Sequence, residues 1–435
     1  MGGFSAISDD DFARVTIAQN FAHLPRLDPS GSSWLPFPFW LQGAVFLVFG
    51  RSLIVAQISA VVAAMVAGWL LDRSCRLLGA APGERALAAA LLLALPTTPF
   101  LAAATVPEVL TAGLVCFGIT ALAVGGTGIA RIGGLALVAA TLSRYETWPM
   151  ALVAGVVALT RAGRDRSSLV PGLLAFVGPC CWLAWSAHAH GDALWALRRV
   201  SAFRAHAGGG PGVLLGYPLA LLRDGAVVFG AAFLAARARG AAVAPGAFPL
   251  VVAAAGCFVF LLVGDVVGGA PTHHPERALL PAFWAVVVAC APVSAIELRR
   301  REGVGLVAIA IAVWTLRMGG VRASFVSREG AIREGRALAL LVPPMERVVV
   351  ARDTYATEAT RAAFVRAEDL FPVVSRAFDA RSADEPFTSS DALRAAARTR
   401  SAKYLVVDSS HAELARPLGE QVELSPTSVL IRLKE

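Results

Sequence analysis

Long apolar runs with almost no charge constrain this chain more than any other feature. Leu53 to Leu71, Leu87 to Ala104 and Val251 to Val263 each approach the ~20 residues with which a helix crosses a hydrocarbon core. Short Arg-rich or Gly/Pro-rich breaks separate the runs. Composition points the same way: 56% of residues are hydrophobic and 16% charged, against about 25% charged in soluble domains. The sequence therefore predicts a mainly α protein, a polytopic transmembrane helical bundle.

About ten spans are expected, near Leu53–Leu71, Leu87–Ala104, Val109–Val124, Ile132–Ser143, Trp148–Thr160, Leu169–Ala187, Val213–Ala236, Phe248–Gly264, Ala278–Ile296 and Val304–Met318. Short cytoplasmic loops are enriched in Lys and Arg. The groups Arg73/Arg76/Arg85, Arg161/Arg164/Arg166, Arg237/Arg239 and Arg299/Arg300/Arg301 all fall on one side of this alternation, which makes that side the cytoplasm. Arg198, Arg199 and Arg204 run against the bias. The net charge of +8 is thus a topology signal, and nucleic acid is not an expected partner. Asp9 then lies outside the cytoplasm with no span or signal peptide before it, so either the first ~50 residues are translocated tail-first, helped by the Arg residues after the first span, or one more helix lies upstream, which is the favoured reading.

After Met318, short β-branched runs alternate with Ala/Arg-rich helical runs, which reads as a small α/β domain on the extracytoplasmic side. Ser389 or Ser390 is a helix start, and "QVELSPTSVLIRL" is a final hairpin across Ser425–Thr427. Asp353 and Asp408 follow strands, where ligands often bind in α/β sheets, but carboxylates there are more often turn or cap residues. The expected division is residues 1–52, an extracytoplasmic Asp-bearing loop with interfacial helices; 53–320, the bundle; and 321–435, the α/β domain. "GSSWLPFPFWLQGAVFLVFG" suits the membrane interface, where Trp and Phe settle. "GDALWALRRVSAFRAH" reads as an interfacial helix, and "GGTGIARIGG" as a loop between spans.

Three consecutive carboxylates, Asp9, Asp10 and Asp11, repel one another, which raises at least one pKa unless a cation is near. Such a group serves as a general base, and a cluster of oxygens also suits a divalent cation. Held at a membrane surface, it suits reaction of an acceptor with a lipid-linked donor.

An outward acidic pair early in the chain, "WLP", the later acidic residue Glu108, "RYE" at Arg144–Glu146 and "RALLP" before a late helix together resemble the GT-C superfamily of membrane glycosyltransferases. The branch is that of the protein O-mannosyltransferases and aminoarabinose transferases, glycosyltransferase family 39-like. The resemblance implies a sugar moved from a polyprenyl-phosphate donor to a protein, lipid or polysaccharide acceptor, outside a bacterial inner membrane, with inversion. It implies Asp10 as base, with Asp9 and Asp11 beside it. Arg144 and Arg277 would meet the donor phosphate, because guanidinium binds phosphate oxygens bidentately. Glu108, Tyr145, Glu146, His273 and His274 are expected at the substrate. No cofactor is obligatory; a divalent cation, Mg or Mn, suits the Asp cluster, whereas the His273/His274 pair reads as surface histidines before a metal site. A lipid-carrier-dependent polymerase or ligase and a transporter of a lipid-linked or amphipathic solute are the alternative readings.

Overall fold

The computed structural model describes residues 6–95, 97–163, 166–207, 213–225, 246–268, 272, 274–293, 327–376, 378, 382 and 384–434. Within these it is mostly helical, with one five-stranded sheet. The chain divides into two compact units. One gathers Met1–Pro29, Phe39–Ser59 and Ser324–Glu435; the other gathers Ser30–Pro38 and Ala60–Ala323.

Among the described residues, three helices are long and apolar enough to cross a membrane: Leu53–Leu77, Arg166–His190 and Phe248–Gly268. Shorter apolar helices include Glu108–Val124, Thr127–Thr141, Thr147–Ala162 and Leu280–Cys290. The expected span Leu87–Ala104 is instead two helices, Pro82–Ala94 and Thr98–Ala103. Pro99 sits in the first turn of the second helix, where a missing N–H costs nothing and a helix can begin. The expected span Val304–Met318, the latter part of Val213–Ala236 and the Arg237/Arg239 and Arg299–Arg301 groups lie outside the described residues.

The helices Glu108–Val124, Thr127–Thr141 and Thr147–Ala162 run up and down in sequence. Arg144, between the last two, bonds Glu108 at one end of the trio, and Arg161 Nη1 donates to Leu122 O (3.1 Å) at the other. "GGTGIARIGG" is not a loop, because the helix starts at Thr127 and leaves only Gly125 and Gly126 as the turn. Its glycines are contact points. A Cβ on Gly133 would come within 2.5 Å of the Ala121 methyl, so these helices approach through small residues, as membrane helices do.

In the other unit the strands are β1 Val348–Ala351, β2 Leu370–Val373, β3 Tyr404–Asp408, β4 Gly419–Ser425 and β5 Ser428–Leu433, in spatial order β2-β1-β3-β5-β4. β1 is parallel to β2 and β3; β5 is antiparallel to β3 and β4. Successive strand residues face opposite sides. Val349, Ala351, Leu405, Val407 and Ile431 pack with the helix Ser390–Thr399, while Val348, Val350, Val406 and Leu430 pack with the helices Glu329–Leu341 and Thr357–Phe364. Ser389 caps its helix by accepting from Ala392 N (3.1 Å), and β4 and β5 form the hairpin. Asp353 accepts from Ser375 N (2.7 Å) and Oγ (2.6 Å), a turn role.

The N-terminal helix Asp9–His23 belongs to this unit. Phe12, Val15 and Ala18 share a core with Ile332, Ala359 and Ala362. Gln19 Nε2 donates to Ala362 O (2.9 Å) and Arg51 O (2.7 Å). Residues on either side of the long helical section are thus bonded together, so they share one side of any membrane the chain crosses.

Candidate active site

In the helical unit, a buried charged cluster is assembled from three stretches distant in sequence. Glu108 opens the helix Glu108–Val124, where the helix dipole favours a carboxylate, and it is fully buried. Arg144 lies in the turn between Thr127–Thr141 and Thr147–Ala162, and Arg277 in the short helix Pro275–Ala278. Both guanidiniums converge on one oxygen. Glu108 Oε1 accepts from Arg277 Nε (3.0 Å) and Nη2 (2.7 Å) and from Arg144 Nη1 (2.7 Å). Arg144 Nε also donates to Glu146 Oε1.

Two carboxylates therefore face two guanidiniums. Burial alone would pull the Arg144 proton off more easily, but the charges of Glu146 and Glu108 outweigh it and hold Arg144 above its ordinary value. Arg144 Nη2 makes no hydrogen bond among the described residues, so one edge of this oriented cation is uncommitted. Tyr145 between them is fixed through its hydroxyl, which donates to Ser33 O (2.9 Å) and accepts from Trp182 Nε1 (3.1 Å).

His274 stands apart from the cluster, its Nδ1 3.3 Å from Glu276 Oε1. Arg223 Nη2 reaches the same Glu276 (3.4 Å) and Asp224 (2.6 Å). Arg277 thus pairs with Glu108 rather than with its chain neighbour Glu276. His273 lies outside the described residues. Asp265, fully buried, accepts from Thr272 N (3.2 Å) and Oγ1 (2.8 Å). Among the described residues, no three of His, Cys, Asp and Glu group as metal ligands.

The acidic cluster belongs to the other unit and its three members have separate surroundings. All three occupy the first turn of the helix Asp9–His23. Asp9 is clamped by Arg328, through Nε (2.7 Å) and Nη2 (2.8 Å), and this hydrogen bond holds Arg328 above its ordinary value. Asp11 is buried and accepts from Ser8 N (3.0 Å), closing a capping box. Asp10 is exposed and makes no hydrogen bond or ion pair among the described residues. The spacing Ser8-x-x-Asp11 is a capping-box signal in the sequence, and it would have removed Asp11 from the chemical candidates. The Asp9–Arg328 and Glu108–Arg277 pairs carry no such local signal.

No family model and no curated protein matches the chain by sequence. By fold it is similar to ArnT from Cupriavidus metallidurans bound to undecaprenyl phosphate, with a TM-score of 0.59 over 98% of this chain and 94% of that one, at 14% identity. The apo state of ArnT gives 0.58 over 99% and 94%, at 13% identity. The chain has the fold of this aminoarabinose transferase, a GT-C glycosyltransferase.

Proposed function

We propose that this chain is an integral inner-membrane glycosyltransferase that takes its sugar from a polyprenyl-phosphate donor on the extracytoplasmic face. The observation that carries the reading is the fold likeness along nearly the whole of both chains to a protein bound to undecaprenyl phosphate. The charged cluster supports it, because ionisable groups buried in a helical bundle of this kind are costly unless used. Glu108 fixes both guanidinium planes in advance, and Arg144 keeps an open edge for a phosphate oxygen.

In the reaction we envisage, an acceptor hydroxyl oxygen attacks the anomeric carbon as the bond from that carbon to the phosphate oxygen breaks. The polyprenyl phosphate departs as a stable anion, so no second carboxylate has to protonate it, unlike glycoside hydrolysis. Single displacement inverts the anomeric centre. For the base that takes the hydroxyl proton we propose Asp10, on its surroundings within its own unit: Asp9 is spent on Arg328 and Asp11 on the helix cap. Glu146, Tyr145 and His274 are proposed as substrate-side residues. We propose no obligatory cofactor; assays with EDTA and with added Mg or Mn test this.

The experiment for the function incubates purified protein with a panel of polyprenyl-phosphate sugars and candidate acceptors, measuring free polyprenyl phosphate and glycosylated product together. Release coupled to product supports the reading. Movement of intact donor across vesicle membranes without release would replace it with a transporter.

A further inference from the structure

The α/β unit ends in an apolar tip that, buried Val342 apart, none of its own layers covers. The helix Glu329–Leu341 finishes with Leu340 and Leu341, and Val342, Pro343, Pro344 and Met345 lead on toward β1. Leu340 is 88% exposed and Met345 89%, and both prolines are exposed between them. Single exposed apolar residues are ordinary, but a contiguous group marks a contact surface.

The location of the tip identifies the contact. It adjoins the starting end of β1 and β2: Val348 N donates to Asp369 O (2.8 Å), and Arg366 Nη2 to Val342 O (2.9 Å). At that same end Glu368 accepts from Arg51 Nη1 with both oxygens, each at 2.8 Å. Arg51 forms the turn before the long apolar helix Leu53–Leu77, and exposed Val48, Phe49 and Ile54 flank it. Tip and helix entrance therefore occupy one end of the unit. Cations surround the tip. Arg333 and Arg336 are exposed, share a helix face with Leu340 and form no ion pair among the described residues; Arg347 is exposed too, near the charge of Asp369 and over the Phe371 ring.

We propose that Leu340–Met345 inserts into the bilayer surface where Leu53–Leu77 enters it, with Arg333, Arg336 and Arg347 facing anionic lipid phosphates. Interfacial segments bind by this combination of buried apolar area and attraction to acidic lipid. The α/β unit is then held to the membrane by a further contact besides its covalent connections. The inference rests on Leu53–Leu77 crossing the membrane and is independent of the chemistry proposed above.

The test uses full-length protein, with the six native cysteines replaced, in vesicles of phosphatidylcholine and phosphatidylglycerol. A bimane is attached at Leu340→Cys or Met345→Cys. Met65→Cys, exposed on the long helix, is the lipid reference, and Ser410→Cys, beyond the opposite end of β3, is the aqueous one. Labels at 340 and 345 are expected to be quenched by brominated lipid severalfold more than the label at 410, to be shielded from iodide, and to lose shielding without phosphatidylglycerol. The proposal is overturned if they match 410 while 65 is lipid-quenched. Shielding that varies with protein density would assign the tip to a second copy, and an unquenched label at 65 would remove the membrane reading beneath the proposal. Should the cysteine-free chain not fold, hydrogen exchange of the unmodified protein decides. Amides 340–347, proline excepted, are expected to exchange more slowly with phosphatidylglycerol than without it, and equal rates overturn the proposal.

Discussion

Deleting the Glu108 carboxylate should destabilise the helical unit more than the loss of one surface pair would. In Glu108→Ala, Arg277 loses both hydrogen bonds it makes to that oxygen, while Arg144 loses one carboxylate and keeps Glu146. Breaking a buried ion pair from one side costs about 3–5 kcal/mol, because the remaining charge stays buried. At about 2–4 °C per kcal/mol for a unit of this general size, the melting temperature should fall by on the order of 10 °C. Glu108→Gln keeps the shape and one acceptor oxygen but not the charge. The amide oxygen still accepts from the charged Arg277, so the hydrogen bonding is kept and the neutralising charge alone is lost; the fall should be smaller than in Glu108→Ala. Thermal unfolding of the purified protein in detergent, followed by tryptophan fluorescence, reads both. The decisive comparison is a cycle with Arg277→Met. Once both partners are gone no orphaned charge remains between them, so the double variant should be less destabilised than the sum of the singles by at least about 1 kcal/mol. Additivity within about 0.5 kcal/mol would refute the claim that Glu108 and Arg277 act as a buried pair.

Asp10→Asn should leave thermal unfolding unchanged and lower transfer by about 10²–10⁴-fold, the usual share of a general base, whereas Asp9→Asn should lower stability through Arg328; normal turnover in Asp10→Asn removes it as the base. Arg144→Ala and Arg277→Ala should raise the KM for the lipid-phosphate donor, with Lys restoring it incompletely because a point charge cannot copy a planar fork; unchanged donor kinetics in both would make these arginines purely structural. A Cβ on Gly113 would lie 2.8 Å from Ala67 Cα, so Gly113→Ala should cost about 1–3 kcal/mol by overpacking, read as a lower melting temperature. Burial raises the Glu276 carboxyl, but the hydrogen bond and charge of His274, with the charge of Arg223, more than offset this and hold it below 4.5. A depressed carboxylate contributes stability that is present above 4.5 and is lost as pH falls through the folded value. The melting-temperature gap between the wild type and Glu276→Gln should therefore close on acidification, and a gap independent of pH would refute this.

Much of the helical architecture was legible because lipid-crossing helices announce themselves by composition. Val109–Val124 was expected where Glu108–Val124 is found, and the strand-helix alternation after Met318 reads as the small sheet that is there. The failures have local causes. The run Leu87–Ala104 reads as one span because hydropathy does not register a helix that ends at Ala94 and another that begins at Thr98. "GGTGIARIGG" reads as a loop because glycine is a poor helix former in water, yet between packed helices it permits close approach. Of the charged cluster, the members were legible and the pairing was not. Arg144 with Glu146 is a neighbour contact, but Glu108 and Arg277 are 169 residues apart and no periodicity connects them.

The union of the two chain ends in one unit also sets a timetable. Gln19 bonds a carbonyl made 343 residues later, and at about 5–20 residues per second a ribosome needs roughly 20–70 s to supply it. Throughout that interval Phe12, Val15 and Ala18 have Phe46, Leu53 and Ala56 beside them but lack Ile332, Ala359 and Ala362, while the helices between are already being handed to the membrane. A transcript cut short before Ala362 therefore yields a protein whose membrane helices can insert but whose first helix stays unsheltered. That helix is then a mark by which proteases and chaperones can tell an unfinished copy from a finished one.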